Sequence, residues 1–241
     1  MGLVAVCVLW EMGGRAGWID LRFFPVPSMI VGRFFQLLLH ENSPFLRDLE
    51  ISLLRVFWGA VIACPLAILL AVYSELSPLV GALLRPWVAF LYPLPKLALL
   101  PLLLVIFGLG EASKIALVSL GIFFLVFLNT SQGIRRIMSS EYYDVALVYR
   151  IPIMRRVVHV LLRGAVPEMV NGTKMGIGYG LVMVIAAEFT ASEKGIGVFI
   201  WNSWDRFQIL DLYAGLLAVS LIGWLIFHSA GFLERKFTRY D

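Results

Sequence analysis

Residues 131–170 read SQGIRRIMSSEYYDVALVYRIPIMRRVVHVLLRGAVPEMV, a polar and basic island between two long apolar segments. To one side lies Ile115–Leu128 and to the other Met175–Ala187, neither of which carries an acidic residue. The island is the only stretch long and polar enough to engage a soluble partner. The remainder of the chain reads as membrane.

Composition supports this reading. Of 241 residues, 60% are hydrophobic and 15% charged, and mean hydropathy is +0.87. A soluble domain carries roughly 25% charged residues. A bilayer-crossing helix needs about 20 apolar residues. Ile51–Val72, Leu84–Gly108, Ile115–Leu128 (short unless Asn129 and Thr130 extend it), Met175–Ala187 and Leu212–Phe232 meet or approach that length. Gly2–Trp10 is a sixth, shorter candidate without the basic flank of a signal peptide. It is read as the remnant of a first span or as one that starts abruptly. The expected fold is an all-α polytopic membrane bundle of five to six transmembrane helices, one domain over residues 1–241.

Six spans with the N-terminus inside place ten Lys and Arg residues on the inner side and seven on the outer side. Arg135, Arg136, Arg150, Arg155, Arg156 and Arg163 belong to the inner set, so the island is expected in the cytoplasm. Anionic lipid headgroups account for the net charge of +4 without nucleic acid. Cys7 and Cys64 form neither a disulfide framework nor a metal site. Within the island, Glu141–Tyr149 has acidic residues in its first turns, as a helix N-terminus favours. Pro152 ends it. A second helix is expected over Met154–Leu162, with Pro167 as a boundary before the next span begins near Gly172. Two short helices joined by a bend suit docking in a partner's groove, and equally a solvated loop on the headgroups.

Other features carry alternatives. Gly172, Gly176 and Gly180 recur every four residues and serve either close helix packing or a translocation path. Pro93, Pro95 and Pro101 fall in one span, which is expected to be broken. Backbone freed at that depth is tolerated against protein or a water-filled cavity. Lys96 sits among these prolines, where it meets an anionic solute or a carboxylate, or snorkels to the headgroups. Glu188 and Lys174, at the ends of the fourth long span, are expected at the interface. Glu111 and Lys114 form a surface pair. Trp10, Trp87, Trp201 and Trp204 lie near span ends as anchors. Phe34–Leu39 suits a short helix lying on the membrane.

The island resembles the EAA loop of binding-protein-dependent ABC-importer permeases. Asp144-Val145-Ala146 stands where that family has its E-A-A, and Arg150 stands at its glycine, removing the residue best suited to a sharp turn. Val166-Pro167 matches the second of the family's proline positions, whereas Leu162-Arg163 lacks the first. Further stretches resemble the nitrate, sulfonate and taurine branch in the same order. They are Pro25-Val26-Pro27-Ser28, Ser52-Leu53-Leu54-Arg55-Val56, Pro95 to Leu102, Phe107 to Lys114, Ala186-Ala187-Glu188 and Gly195-Ile196-Gly197.

The resemblance implies a type I ABC importer permease of the bacterial inner membrane, importing a small solute such as nitrate, a sulfonate or taurine. Its partners would be a second copy of itself, a cytoplasmic ATP-binding-cassette ATPase dimer and an external substrate-binding protein. Glu141, Asp144, Val145, Ala146, Tyr149, Arg150, Pro152 and Pro167 would couple it to the ATPase. Asp144 and Arg150 would orient the coupling helix, and Val145, Ala146 and Tyr149 would fill the groove. Lys96, Gly176, Gly180 and Glu188 are candidates for the translocation path. The chain carries no phosphate loop of the G-x-x-x-x-G-K-[ST] type, and Gly108–Lys114 has the wrong spacing for one. No enzymatic activity, cofactor or metal is expected in this subunit. The alternative is a secondary transporter, which needs mid-membrane carboxylates and often an internal repeat.

Overall fold

In the computed structural model, which describes residues 2–40 and 43–237, helices follow one another without a strand among the described residues. They pack as two compact units, one from Met1–Leu54 and Ile185–Trp224, the other from Arg55–Val184 and Leu225–Asp241.

The first unit holds α1 (Gly2–Arg15), α2 (Pro27–Leu39), the opening turns of α3 (Pro44–Leu76), the end of α9 (Arg163–Ala191), α10 (Ile196–Asp205) and most of α11 (Ile209–Phe237). Its core gathers Phe45, Ile196, Ile200 and Ala218. Phe34, Leu37 and Leu38 of α2 pack onto that core. The helix expected at Phe34–Leu39 exists, but much of its apolar face is committed to protein rather than to lipid. Arg33 on the same helix forms an ion pair of 2.5 Å with Asp211.

The second unit holds the rest of α3, then α4 (Pro78–Leu91), a 3₁₀ turn (Lys96–Leu99), α5 (Leu100–Phe107), α6 (Glu111–Met138), α7 (Glu141–Val148), α8 (Ile153–Arg156), a π turn (Val157–Leu162) and α9 up to Val184. Among the described residues, four helices are long and apolar enough to cross a bilayer: Pro44–Leu76, Glu111–Met138, Ile153–Ala191 and Ile209–His228. A fifth is the pair Pro78–Leu91 and Lys96–Phe107, bent by 98°. The proline-rich span is therefore broken, between Leu91 and Lys96 where Pro93 and Pro95 fall together. At 14 residues, α1 is short for a crossing.

The broken pair crosses rather than returning to the side it left. Arg85 on α4 donates to Glu75 at 2.8 Å, near the end of α3. Glu111, which follows α5, pairs with Arg55, about a third of the way along α3, at 2.5 and 2.6 Å. Twenty helical residues separate Arg55 from Glu75, a rise of about 30 Å. The segment between them covers the depth of a hydrocarbon core.

Pro167 is not a boundary. The helix runs unbroken from Ile153 to Ala191 with Pro167 inside it. A proline removes one ladder hydrogen bond. Leu161 and Ala165, packed against Ile134 of α6 in a fully buried cluster, hold the segment helical. The π turn immediately upstream marks where the ladder adjusts.

Candidate functional site

Two features of the second unit present chemistry, the α7 loop and a cleft at the broken span. Helix α7 begins at Glu141 after Ser140 and places Glu141 and Asp144 near its positive end. It ends in a turn defined by two hydrogen bonds. Ile151 N–H donates to the Ala146 carbonyl at 3.1 Å, and Arg150 N–H to that of Leu147 at 2.9 Å. This is the Schellman arrangement, which needs a left-handed residue before the crossing bond. Arg150 fills it with φ +49°. The sharp turn is thus present without glycine, at a strain of roughly 1–2 kcal/mol for a side-chain-bearing residue. Arg150→Gly is expected to keep α7 intact and slow amide exchange at Arg150 and Ile151. Faster exchange there would show that the arginine is not strained.

Pro152 caps the following helix with extended backbone, as expected. Tyr143 joins the cluster of Ile134, Leu161 and Ala165, and its ring lies 5.8 Å from the Arg156 guanidinium. Ala146 is also turned inward and is 2% exposed. That corrects its expected place in a partner's groove, since one face of an eight-residue helix must seat it on α6 and the π turn. The outward face is Tyr142, Val145, Val148 and Tyr149, of which Tyr142 is 81% exposed. Asp144 and Arg150 are exposed beside it. An apolar face in so basic a loop marks a contact surface. Tyr142 and Val148 were missed in the sequence, although both fall at helical spacing from Val145.

The cleft at the 98° bend has a volume of about 700 Å³. It is lined by Tyr92, Pro93, Leu94, Pro95, Lys96, Gly121, Phe124, Leu125, Met175, Gly178, Tyr179 and Val182. Lys96 opens the 3₁₀ turn and is buried, so it does not snorkel. Its ammonium donates to the Tyr92 carbonyl and lies 4.8 Å from the Tyr92 ring centroid and 5.0 Å from that of Phe124. Two aromatic faces are worth about 1–4 kcal/mol. That is comparable with the roughly 2.5–3.5 kcal/mol of placing a lysine mid-membrane. Among the described residues no carboxylate forms an ion pair with it.

Gly176 and Gly180 do not face this cleft. A Cβ on Gly176 would sit 3.1 Å from Ile122 Cγ2, and one on Gly180 3.0 Å from Ile122 Cδ1. With Gly172, whose Cβ would meet Asn129 at 2.7 Å, they form the seam of α9 on α6. Of the α9 glycines it is Gly178 that lines the cleft, with open space where a Cβ would go. Two residues from Gly176, it lies about 200° around the helix from the seam, which the four-residue spacing could have suggested.

Glu188 is likewise not in the cleft. It is 1% exposed in the first unit, so its interfacial placement is also corrected. Its carboxylate accepts from Ser52 Oγ at 2.7 Å and from Gly197 N–H at 2.8 Å. Ile196 N–H donates to Ser52 Oγ at 2.9 Å, and Gly195 N–H to Asp48 at 2.9 Å. These side chains together hold the start of α10. Lys174 is buried rather than interfacial, its ammonium 5.9 Å from the Phe227 ring centroid. Lys114 is also buried and donates to the carbonyls of Leu109 and Gly110. Lys114 is therefore not a surface residue, and Glu111 pairs with Arg55. Trp87, Trp201 and Trp204 are well exposed, as anchors require.

Comparison with known proteins agrees with this geometry. Residues 63–239 match the family described as binding-protein-dependent transport system inner membrane component. The aliphatic sulfonates transport permease protein SsuC of Escherichia coli is 32% identical over 241 residues, covering 100% of this chain and 89% of its own. The taurine permease TauC of the same organism is 27% identical, with 98% and 86% covered. The bicarbonate permease CmpB of Synechococcus elongatus is 27% identical, with 99% and 88% covered. An inward-facing MetNI methionine ABC transporter chain superposes with a TM-score of 0.65 at 19% identity, over 86% of this chain and 99% of that one, a likeness of fold. Helices long enough for several crossings, a broken span and a match well beyond half the chain establish that this protein belongs to the binding-protein-dependent transport system inner membrane components.

Proposed function

We propose that the chain acts as a single permease domain, the membrane-crossing subunit of an ATP-driven importer, with ATP hydrolysed by a separate cytoplasmic ABC ATPase. The observation that carries the coupling role is the exposed apolar face of Tyr142, Val145, Val148 and Tyr149 on a helix anchored by Tyr143 and Ala146. A groove on the ATPase dimer would receive that face. Glu141 and Asp144 at its start and Arg150 at its corner would set its orientation, and Pro152 fixes where the loop turns back. Pro167 acts indirectly, inside the helix that carries the returning chain. A second copy of the chain, an external binding protein and surrounding lipid complete the assembly. Relatives whose names specify aliphatic sulfonates, taurine and bicarbonate support a small anion as cargo.

Reconstitution with the ATPase tests the reading. Loaded binding protein should stimulate ATP hydrolysis several-fold over unloaded protein. A complex that assembles and hydrolyses ATP indifferently to the binding protein would overturn the importer assignment. Within that assay, Asp144→Lys reverses the charge in the first turns of α7. It should lower stimulated hydrolysis at least tenfold while the protein still inserts. Uptake at the wild-type rate in this variant would remove Asp144 from the coupling role.

A further inference from the structure

The depth of Lys96 follows from α6. Phe124 is the fourteenth of the 28 residues from Glu111 to Met138. Each end of that helix is therefore about 20 Å away, and the Lys96 ammonium lies 5.0 Å from the Phe124 ring centroid. The charge sits near the middle of the bilayer. A lipid headgroup is roughly 15 Å distant, half the hydrocarbon thickness, beyond a lysine's reach.

At that depth an ammonium needs acceptors for its three N–H groups. The protein supplies one carbonyl, that of Tyr92, and two ring faces. No acidic side chain lines the cleft, whose walls are otherwise aromatic, aliphatic and glycine. A cation held this way, 6% exposed yet bordering open volume, has no carboxylate paired with it among the described residues. Attraction between charges is strengthened where water is scarce.

We propose that Lys96 is the anion-binding residue of the membrane domain, taking a small singly charged oxyanion with a short apolar body at the bilayer midplane. The proposal rests on the importer reading and assigns its cargo a place. The apolar part of the ligand packs on Phe124, Leu125, Met175 and Val182, while its charged end meets the ammonium. From there a second cleft of about 570 Å³ shares Tyr92 and is lined by Ser131, Gln132, Arg85 and Arg135. Phe124, Leu128, Ser131 and Arg135 recur along α6 at helical spacing, so one stripe leads from Lys96 toward the α7 end. Ser131 Oγ is buried there without a hydrogen-bond partner. The anion leaves along this stripe.

Two experiments test the assignment. Proteoliposomes with the ATPase and the binding protein are given radiolabelled ethanesulfonate, nitrate and bicarbonate, with an uncharged amide as control. Lys96→Met should lower uptake of the transported anion at least tenfold, and Lys96→Arg should restore at least a third of it. Unchanged anion uptake in Lys96→Met overturns the proposal and leaves the importer reading standing. ATP-dependent wild-type import of the amide alone does the same. Absence of any ATP-dependent response to the binding protein defeats the importer reading instead.

The second experiment needs no transport. In a chain carrying Cys7→Ser and Cys64→Ser, Gly178→Cys places a thiol in the Lys96 cleft. An anionic sulfonatoethyl thiosulfonate reagent should label it at least fivefold faster than its trimethylammonium counterpart. Adding Lys96→Met should abolish the preference. Equal rates with Lys96 present would show that the cleft does not favour anions.

Discussion

Replacing Glu188 with alanine is expected to destabilise the protein by about 3–5 kcal/mol. The change strands the Gly197 N–H, at roughly 1–3 kcal/mol, leaves the Ser52 hydroxyl only its 3.1 Å bond to the Asp48 carbonyl, and opens a cavity where a fully buried side chain stood. Gly195 gives the same site a second handle. Its φ is +128°, and a Cβ there would lie 2.4 Å from the Glu188 carboxyl carbon. Gly195→Ala should therefore fail for two reasons, strained backbone and direct collision with Glu188. Shortening Glu188 relieves the collision but not the strain, so the double variant should not recover wild-type stability. The measure is the unfolding midpoint of detergent-solubilised protein and the fraction eluting as one species. A Glu188→Ala protein within about 1 kcal/mol of wild type would mean that α10 is held by something other than this carboxylate.

The second large effect lies in the glycine seam. Gly176→Leu drives a side chain into Ile122, whose Cγ2 and carbonyl oxygen would already be 3.1 and 3.3 Å from a Cβ. Both α6 and α9 are flanked by other contacts and cannot separate freely, so the yield of folded protein should fall at least tenfold. Gly178→Ala, only two residues away, should fold with near wild-type yield because its Cβ meets open space. Equal tolerance at the two positions would refute the assignment of Gly176 to the seam and Gly178 to the cleft.

These contrasts show where the sequence stops informing. Span positions were legible because continuous apolar length is a property of the chain itself. So was the break at Pro93–Pro101, since two prolines within three residues remove two ladder donors at once. The facing of a side chain is not written in the same way. Glu188 and Lys114 lie near helix ends and Lys174 at the start of an apolar run inside a longer helix, places where charged residues ordinarily meet water, and only packing against other segments buries them. The glycine pattern announced a close-packed face without saying which neighbour it met, so Gly176 and Gly180 were also plausible path residues. Pro167 was misleading because one lost hydrogen bond is outweighed by packing at Leu161 and Ala165. At Arg150 the local rule favoured glycine, while the geometry of the turn persisted with another residue in its place.

The 98° bend has a further meaning for how access can alternate. Pro93 and Pro95 remove two N–H donors within three residues at the bend, whereas Pro101 costs nothing in the first turn of α5. Straightening the segment would leave two carbonyls without partners at membrane depth, whichever side the permease faces. The bend is therefore the less costly backbone on either side. Opening by whole helices that move about this corner avoids that cost, and the lysine then keeps its local backbone.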